Sequence, residues 1–540
     1  MAGETERGAG LQACQSALRT NANPISPFHW EIEFPEVFTR DNGGFDVFVG
    51  NPPFAGKNTM AAANREHYPV WLQALHEESH GNADLVAHFY RRAFNLLRKG
   101  GTFGLIATNT IAQGDTRGTG LRWIRHHDGT IFAARKRIRW PGEAAVVVSA
   151  VHVNKGDLSG PFDLDGRIVE RITAFLFHAG GDDDPARLEE NANKSFQGSI
   201  VLGMGFTFDD TDKKGIASPI SLMHELIRKD PRNAERIFPY IGYSEVASSP
   251  VHSHHRYVIR FDGLPESECW NRWPDLMSIL DAKVKPERLK QKDQDAKEKW
   301  WLFLRPRPEL HLAIRDLKRV LVAGSQASSH FAFAFLSTTA VFSSNLTVFA
   351  LDSDAEFAAL QSRVHEVWAR FFMSTMKDDL AYTPTTCFEP FPFPENWSRL
   401  LSLEQAGRKY YEYRAALMVD LGEGLTKIYN RFHDPNESDA RIQTLRQLHE
   451  AMDHAVLDAY GWSSLRPICE FAPETAADTE QPAHGKVTFL YRWPDEARDE
   501  VLARLLELNT TRAGLAPGAR AVSQARKPSK TQAASPLFGA

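Results

Sequence analysis

Cysteine is scarce in this chain of 540 residues, which has four, Cys14, Cys269, Cys387 and Cys469, and no Cys-x-x-Cys pair. This wide spacing excludes a zinc ribbon and a disulfide framework, and it indicates a reducing, cytoplasmic setting. Long apolar runs are missing as well, since none approaches the roughly 18 residues of a membrane-spanning helix. The stretch from Met1 to Asn23 has no apolar core of a secretory signal. We therefore expect neither membrane insertion nor secretion.

Positive charge is not in excess either, because the formal net charge is -5. Binding to nucleic acid would then depend on a local basic patch rather than on the overall charge. Carboxylates do not group with a lysine on convincing strands, as a metal-dependent nuclease would require. The chain does have the length for about three domains, and its hydrophobic content of 42% is sufficient for cores.

One short stretch near the start, from Phe45 to Phe54, organises the prediction. The apolar run Phe45 to Val49, broken once by Asp46, predicts a buried strand of a parallel sheet. Gly50 ends this strand, and two prolines then prevent both a continuing strand and an immediate helix. The result is a stiff loop at the carboxyl end of a strand, where open α/β sheets hold their ligands.

The groups on this loop suit the binding of an aromatic amine. Asn51 offers a side-chain carbonyl, and Pro52 offers a backbone carbonyl without an N–H group. Two fixed carbonyl oxygens can accept both hydrogens of a planar exocyclic amine, which directs the nitrogen lone pair toward an electrophile. Pro53 would stiffen the loop, and Phe54 provides a flat face for stacking. The alternative is a Pro-Pro turn that only caps a strand.

Around this loop, strand and helix patterns alternate from Phe28 to Gly156. Strands are predicted at 102–107, 130–134 and 144–153, and helices at 68–78 and 83–97. The run from Arg98 to Gly101 predicts a helix end, with cations in the last turn and glycine as the cap. This order favours an α/β domain with the loop at one edge of its sheet.

Several motifs resemble the amino-methylating DNA methyltransferases of restriction-type and phage-defence systems. These are His29 to Phe38, the Asn-Pro-Pro-Phe loop at Asn51, Gly101 to Asn109, and Trp140 to Val146. The resemblance implies methylation of the 6-amino group of a flipped-out adenine in double-stranded DNA, with S-adenosylmethionine as the methyl donor. In that family the residues at Asn51, Pro52, Pro53 and Phe54 hold the amine and stack the base. The implied fold is α/β: part of a class I, Rossmann-like methyltransferase sheet, a mixed α+β target-recognition domain, and a helical C-terminal region.

The glycine-rich turn by which this family binds S-adenosylmethionine is not found before Asn51. Gly8 to Gly10 has no strand ahead of it, and Gly203 to Gly205 leads into another strand rather than a helix. Gly324 also leads into further strand. We therefore expect this chain to be the C-terminal part of such an enzyme. The half that binds the cofactor would be truncated away or carried by a separate polypeptide.

The middle of the chain contains a run that combines basic and aromatic residues. Between Lys283 and Arg319 there are 12 Lys and Arg against 6 Asp and Glu, with Trp300, Trp301 and Phe303 at its centre. Such a mixture suits phosphate contacts and stacking, but a solvated helix at Lys283–Lys299 explains the charges equally. In context the region resembles the family's target-recognition domain. The candidate DNA contacts are Lys290, Lys292, Arg305 and Arg307.

Two further features complete the prediction. The histidines at His252, His254 and His255 are interpreted as loop residues rather than metal ligands, and no metal site is predicted. Residues 405–432 and 438–460 are predicted as a helical pair, followed by a basic, disordered tail. The predicted segments are a ragged start at 1–27, a catalytic half at 28–156, a target-recognition domain at 157–400, a helical spacer or docking region at 401–509, and the tail at 510–540.

Two other functions stay open from the sequence alone. The first is a module that recognises DNA but cannot hold S-adenosylmethionine, which the missing glycine turn supports. The second is a methyltransferase acting on a protein glutamine, since that chemistry also uses an Asn-Pro-Pro-aromatic loop. The long region after Gly156 argues against the second, because those enzymes lack a long C-terminal recognition domain.

Overall fold

In the computed structural model of this chain, a six-stranded sheet carries the loop that begins at Asn51. The structure describes residues 28–64, 67–140, 147–325, 330–376, 379–473 and 489–514. These residues form two units. The first runs to Ile172, except for short stretches at 112–114 and 139–147 that group with the second, which otherwise begins at Thr173. The predicted start at 1–27 and residues 515–540 of the predicted tail lie outside the described residues.

The first unit is built from one sheet and short helices. Its strands are β1 (Phe45–Gly50), β2 (Leu97–Thr108), β3 (Gly129–Arg139), β4 (Val147–Lys155), β5 (Phe162–Leu164) and β6 (Arg167–Val169). Its helices are α1 (Trp30–Glu33), α2 (Pro35–Phe38), α3 (Lys57–Ala63), α4 (Tyr68–Leu75), α5 (Leu85–Leu96), α6 (Gly114–Arg117) and α7 (Trp123–His126). The sheet order is β1-β2-β4-β3-β5-β6, with β1 and β2 parallel and β2 and β4 antiparallel.

The prediction that Phe45–Val49 is a buried strand is wrong. Among the described residues β1 pairs only with β2, so it lies at the edge of the sheet. Its side chains Val47 and Val49 are 57% and 84% exposed. The polar residue within the strand, Asp46, is exposed and accepts hydrogen bonds from Arg98 and Arg40, which hold its pKa below the usual value. The apolar run predicts a strand correctly, but burial depends on a neighbouring strand that these residues do not supply.

The predicted helix cap at Arg98–Gly101 is also wrong. Helix α5 ends at Leu96, and Leu97 already has extended backbone, with φ -68° and ψ 144°. Arg98 to Gly101 therefore belong to β2, which is longer at its amino end than the predicted 102–107. The apolar face of α5 does pack inward as its periodicity predicts, with Val86, Tyr90 and Phe94 buried.

The second unit contains two four-stranded sheets and most of the helices. Its strands are β7 (Ser195–Gln197), β8 (Thr207–Phe208), β9 (Ile237–Ile241), β10 (Arg256–Ile259), β11 (Arg319–Gly324), β12 (Ala334–Ser337), β13 (Val341–Phe342), β14 (Leu346–Phe349), β15 (Ser374–Met376), β16 (Asp379–Ala381), β17 (Glu470–Pro473) and β18 (Phe489–Arg492). Its helices are α8 (Ile220–Lys229), α9 (Tyr243–Ser248), α10 (Glu266–Arg272), α11 (Pro274–Lys283), α12 (Lys285–Arg288), α13 (Gln294–Glu298), α14 (Pro308–Ile314), α15 (Asp354–Gln361), α16 (Arg363–Phe372), α17 (Leu401–Leu421), α18 (Leu425–Phe432), α19 (Ala440–Ala459) and α20 (Asp495–Arg512).

The two larger sheets are ordered β13-β9-β10-β8 and β12-β11-β14-β7, and two hairpins, β15–β16 and β17–β18, accompany them. Strands β11 and β14 pack with α15 and α16 in one large core, where Val322, Val348, Phe357 and Trp368 are fully buried. Among the described residues, no helix combines the length and apolar character that a membrane crossing requires.

Two predicted helices are divided in the structure. The predicted helix at 405–432 is interrupted, because Gly422 adopts φ +63° and ends α17 before α18 begins. The predicted solvated helix at Lys283–Lys299 is three separate pieces, namely the end of α11, then α12 and α13. The helix at 438–460, which is the predicted partner of the helix at 405–432, agrees with α19 to within two residues at each end.

Candidate functional site

The Asn51 loop leaves the sheet at the carboxyl end of β1. Gly50, the last residue of β1, lies opposite Leu105, so the parallel neighbour β2 continues past this level to Thr108. Asn51 and Pro53 are exposed, whereas Pro52 and Phe54 are half-buried. The four predicted site residues thus follow one another along an irregular segment above the sheet, with the Asn51 side chain open to solvent. A planar ligand could reach the amide of Asn51 without displacing other side chains.

The exit of the loop is fixed to the start of α5. The backbone N–H of Ala55 donates to Asp84 Oδ1 at 3.1 Å. The carbonyl of the same residue accepts from the N–H of Leu85 at 3.0 Å. Below this junction, Met60, Leu72 and Leu85 form a small apolar cluster against which Ala55 packs. Both backbone polar groups that directly follow Phe54 are therefore held by one helix end.

Asp84 is a residue that the sequence analysis did not single out. It is the N-cap of α5, where its Oδ1 also accepts from Val86 N at 2.9 Å. Its own N–H donates to Thr116 Oγ1 at 3.0 Å, and Thr116 is buried. A signal for it was present, because an Asp immediately before an apolar periodic run marks a helix start.

Polar side chains beside Asp84 connect the loop to α6. Lys57, at the start of α3, donates from Nζ to Asn82 Oδ1 at 3.0 Å. Asn82 in turn donates to Asp115 Oδ2 at 3.3 Å, and His80 Nδ1 lies 3.0 Å from the same carboxylate oxygen. These side chains are largely exposed, so water and salt screen their charges, and the network contributes orientation more than stability.

A second side-chain amide stands at the end of the neighbouring strand. β2 runs to Thr108, about 10 Å beyond the level of Gly50 at the usual rise per residue, and Asn109 follows. Ser149 Oγ donates to Asn109 Oδ1 at 2.7 Å, which orients the amide so that its NH2 group is the part left to donate. The carboxyl edge of the first sheet thus presents carbonyl acceptors at Asn51 and Pro52 and a donor at Asn109.

The described residues do not fit the glycine turn that S-adenosylmethionine binding requires. Gly203 has φ +129° and precedes a short turn and β8, not a helix. A Cβ on Gly205 would lie 2.9 Å from Lys283 Cβ, so this glycine is explained by close packing on the end of α11. Gly324 ends β11, which pairs antiparallel with β12 and β14. These glycines are thus explained by turns and close packing rather than by cofactor binding.

The four candidate DNA contacts are all in the second unit but differ in availability. Lys290 and Lys292 are exposed on the turn after α12, and Arg305 is exposed before α14. Arg307 is half-buried and donates to Gln197 Oε1 at 2.9 Å, with Glu309 at 3.8 Å. Its guanidinium is thus used inside the unit, whereas the other three can approach a phosphate.

The aromatic residues of the basic run are not free to stack on bases. Trp300 and Phe303 are 4% and 6% exposed and belong to a buried cluster with β8, β10 and α11. Trp301 donates its indole N–H to the carbonyl of Leu264 at 2.9 Å. Trp300 and Phe303 are therefore not available for the stacking that the sequence suggests, because they form the core that supports the charged turn.

The histidine loop after α9 is held by backbone contacts. His252 Nδ1 lies 2.9 Å from the carbonyl of Val246, and burial, followed by the charge of Arg414, lowers the pKa of His252 to about 4. Within the described ranges, no three His, Cys, Asp or Glu residues are grouped so that they could hold a metal ion.

Comparison with known proteins gives two matching families. Residues 8–128 match the family described as Eco57I restriction-modification methylase. Residues 195–395 match the family described as MmeI, target recognition domain. No curated protein matches the chain.

Solved structures of restriction-modification enzymes share parts of the fold. The Type IIL restriction-modification enzyme MmeI, in complex with DNA, matches with a TM-score of 0.52 and 17% identity, over 87% of this chain and 57% of that chain. This chain thus spans little more than half the length of MmeI, and an identity this low shows the fold alone. The type IIG restriction endonuclease BpuSI matches with a TM-score of 0.31 and 11% identity, over 78% of this chain and 55% of that chain; this likeness is too low for an argument. The chain therefore has a mixed α/β fold that resembles MmeI, in which a segment matching a restriction-modification methylase precedes one matching a target recognition domain.

Proposed function

We propose that this chain carries the base-binding loop and the recognition domain of an S-adenosylmethionine-dependent DNA methyltransferase that acts on the 6-amino group of adenine. The observation that carries this proposal is the Asn51 loop, which leaves the carboxyl end of a parallel strand within the segment that matches the methylase family. The matched recognition segment follows it along the same chain. Double-stranded DNA is the substrate that this combination implies.

In this proposal the loop orients and activates the amine. Asn51 Oδ1 and the carbonyl of Pro52 accept the two amine hydrogens, which withdraws the nitrogen lone pair from conjugation with the ring. Phe54 stacks the base, and Pro53 limits the motion of the loop. Methylation at this nitrogen requires the base to leave the duplex, because the amine is otherwise paired. Positioning and fixed dipoles supply the rate gain, so no covalent nucleophile is needed.

S-adenosylmethionine would supply the methyl group, but its binding site comes from elsewhere. The described glycines fit packing and turns rather than a cofactor cradle. We therefore propose that the cofactor half is carried by a separate polypeptide. Among the described residues the outer edge of β1 has no partner strand, and Val47 and Val49 are exposed, so a further parallel strand could complete the sheet there, beside Asn51.

A second candidate function rests on the same observation, that the described residues contain no glycine turn suited to S-adenosylmethionine. A chain that binds DNA through Lys290, Lys292 and Arg305 but has no access to S-adenosylmethionine would be a recognition module without catalysis. Both candidates predict DNA binding by the second unit, so DNA binding alone does not separate them. Cofactor binding and methyl transfer do.

The test is calorimetric titration of S-adenosylmethionine into the full chain, with and without duplex DNA, followed by mass spectrometry of nucleosides from plasmid DNA incubated with both. Formation of N6-methyladenine supports the methyltransferase. We expect Asn51→Ala to reduce it by about 100-fold or more, whereas Asn51→Asp retains an oxygen acceptor and most of the product. DNA binding with neither cofactor binding nor product shows that this chain does not hold S-adenosylmethionine by itself. The assay is then repeated with the polypeptide that carries the cofactor half: product in its presence supports the methyltransferase, and DNA binding without product supports the recognition module. Methylation of another base would contradict the adenine assignment.

A further inference from the structure

The connection between the Asn51 loop and α5 is more specific than an ordinary helix start. A helix N-cap uses its side-chain oxygen for the N–H groups of its own first turn. Here Asp84 Oδ1 accepts from Val86 N inside the helix and from Ala55 N outside it, at 2.9 and 3.1 Å. The residue that receives this second bond lies directly after Phe54.

The other half of the connection uses the backbone alone. Leu85 N donates to the carbonyl of Ala55 at 3.0 Å, so both polar groups of that residue are bound to adjacent positions of one helix end. Thr116 Oγ1 accepts from the N–H of Asp84 at 3.0 Å and is itself buried, at 7% exposure. The backbone of Asp84 is thus fixed from behind, and the bond from Val86 N holds its carboxylate at the helix end.

The entry to the loop is fixed independently. Gly50 is paired with Leu105 in the parallel ladder of β1 and β2. Between Gly50 and Ala55 stand only the four site residues, two of which are prolines with fixed φ. A segment this short, held at both ends, has little freedom in the direction of its carbonyls. Releasing either end would let the two acceptor oxygens separate.

We propose that Asp84 is a positioning residue that sets the direction of the Asn51 and Pro52 carbonyls by holding Ala55. The inference rests on the proposed function for the meaning of that direction, but the clamp itself is a property of this chain. Asp84 does not touch the substrate in this proposal. Its effect passes through the backbone of Ala55 to the loop.

Amide hydrogen exchange, followed by mass spectrometry on the full chain, tests the clamp without any ligand. Pro52 and Pro53 have no N–H, so a peptide from 51 to 57 reports on the amides of Phe54, Ala55, Gly56 and Lys57. We expect Asp84→Ala to raise exchange in this peptide about tenfold, the effect of one lost hydrogen bond. Asp84→Asn keeps an oxygen at the same place and should stay within about threefold of the original chain.

A matched control separates the clamp from the loss of any helix cap. Asp439 is the N-cap of α19 in the second unit and accepts from Arg441 N at 2.9 Å. We expect Asp439→Ala to leave exchange in the 51–57 peptide unchanged. Unchanged exchange in Asp84→Ala, or an equal rise in every peptide of the first unit, would overturn the proposal, because the residue would then act only on stability.

Methyl transfer provides a second readout and keeps the two proposals distinguishable. Where the original chain transfers methyl groups, Asp84→Ala should lower kcat by about 100-fold, as expected when reacting groups shift by an ångström. KM for DNA should stay within about threefold, because the recognition contacts are in the other unit. A rise in KM for DNA as large as the fall in kcat would contradict a positioning role for Asp84. If no product forms even when the polypeptide that carries the cofactor half is added, the proposed function fails, while the exchange experiment still decides the clamp.

Discussion

Two buried histidines in the first unit make its stability depend on pH. His76 and His88 are each 4% exposed, and their Nδ1 atoms are 2.8 Å apart. A neutral pair has one N–H donor and one acceptor, which this contact requires. Burial, and then neighbouring positive charge that includes Arg91, lowers the pKa of both to about 4. The folded state therefore favours two uncharged rings.

We predict that the first unit loses stability as the pH falls from about 6.5 to about 4. An unfolded histidine binds its proton near pH 6.5, while the folded pair does not until about pH 4. Between these values the unfolded chain holds more protons, so the free energy of unfolding falls by up to about 1.4 kcal/mol per pH unit for each ring. Above pH 6.5 the contribution is complete. Urea midpoints at several pH values measure this.

This prediction is tested by removing the two buried rings, with an exposed histidine as the control. Replacing both rings, as His76→Gln with His88→Gln, should flatten the dependence between pH 6.5 and 4. Replacing the exposed His224 by Gln should leave the slope as it was. An unchanged slope in the double variant would show that other groups dominate.

Arg305 and Arg307 are two arginines that the sequence did not distinguish, but their contacts differ. Arg305 is exposed, whereas Arg307 donates to Gln197. We expect Arg305→Ala to weaken DNA binding and to reduce the slope of log affinity against log salt by about one, the value for one lost phosphate contact. Arg307→Ala should instead lower the stability of the second unit. Fluorescence anisotropy with duplex DNA at several salt concentrations measures the slope.

The exposed Lys427 on α18 provides the comparison for nonspecific charge loss. If Lys427→Ala lowers the slope as much as Arg305→Ala, then the effect reports total charge rather than a contact. If neither substitution changes the salt slope, Arg305 does not contact a phosphate.

Helix packing in the second unit depends on a single glycine in α17. Gly407 is buried, and a Cβ there would lie 2.0 Å from the carbonyl oxygen of Asp354 at the start of α15. In an exposed helix interior, alanine is about 1 kcal/mol better than glycine. We predict the opposite sign here, with Gly407→Ala lowering the free energy of unfolding by about 1–3 kcal/mol because the two helices must separate.

Denaturation in urea, followed by tryptophan fluorescence, measures this change. The exposed Ser402 lies in the same helix, and Ser402→Ala removes no close contact, so we expect it to be neutral or slightly stabilising. A stabilising Gly407→Ala would mean that α17 and α15 are further apart than the structure shows.

At this scale the sequence predicted the elements whose signals are local. The periodic apolar residues of α5 and α19 predicted both helices to within two residues at each end. The break at Gly422 was missed, although a glycine between two helical runs is a recognised stop signal. Asp84 was also missed as a site residue, because its bond to Ala55 joins positions 29 residues apart, and a cap signal does not say what else the cap binds.

Burial is where local patterns fail, as β1 shows. Its apolar run predicts a strand between two others, and the strand and its parallel pairing with β2 are as expected. Whether Val47 and Val49 are covered depends on the elements that pack beside and over β1, and the residues of the strand do not encode these. The roles of Asn51 to Phe54 stay predictions for the same reason, since they depend on the ligand that the site meets.

In the part of the chain that the structure describes, the outer edge of β1 has no partner strand, which bears on how whole molecules associate. An exposed strand edge with apolar side chains invites pairing with another strand. We expect the purified chain to associate in a concentration-dependent manner, and Val49→Lys to suppress this. Because Val49 is 84% exposed, the substitution should change the free energy of unfolding by less than about 0.5 kcal/mol. Light scattering coupled to size exclusion measures the association.

The matched control is Val251, a valine of the second unit that is 63% exposed and lies in a turn rather than in a strand. Val251→Lys adds the same charge, so it should leave association unchanged. Equal suppression by both variants would mean that net charge, not the β1 edge, governs association. A chain that stays monomeric at all concentrations would contradict the prediction, because an exposed apolar strand edge should pair with another strand.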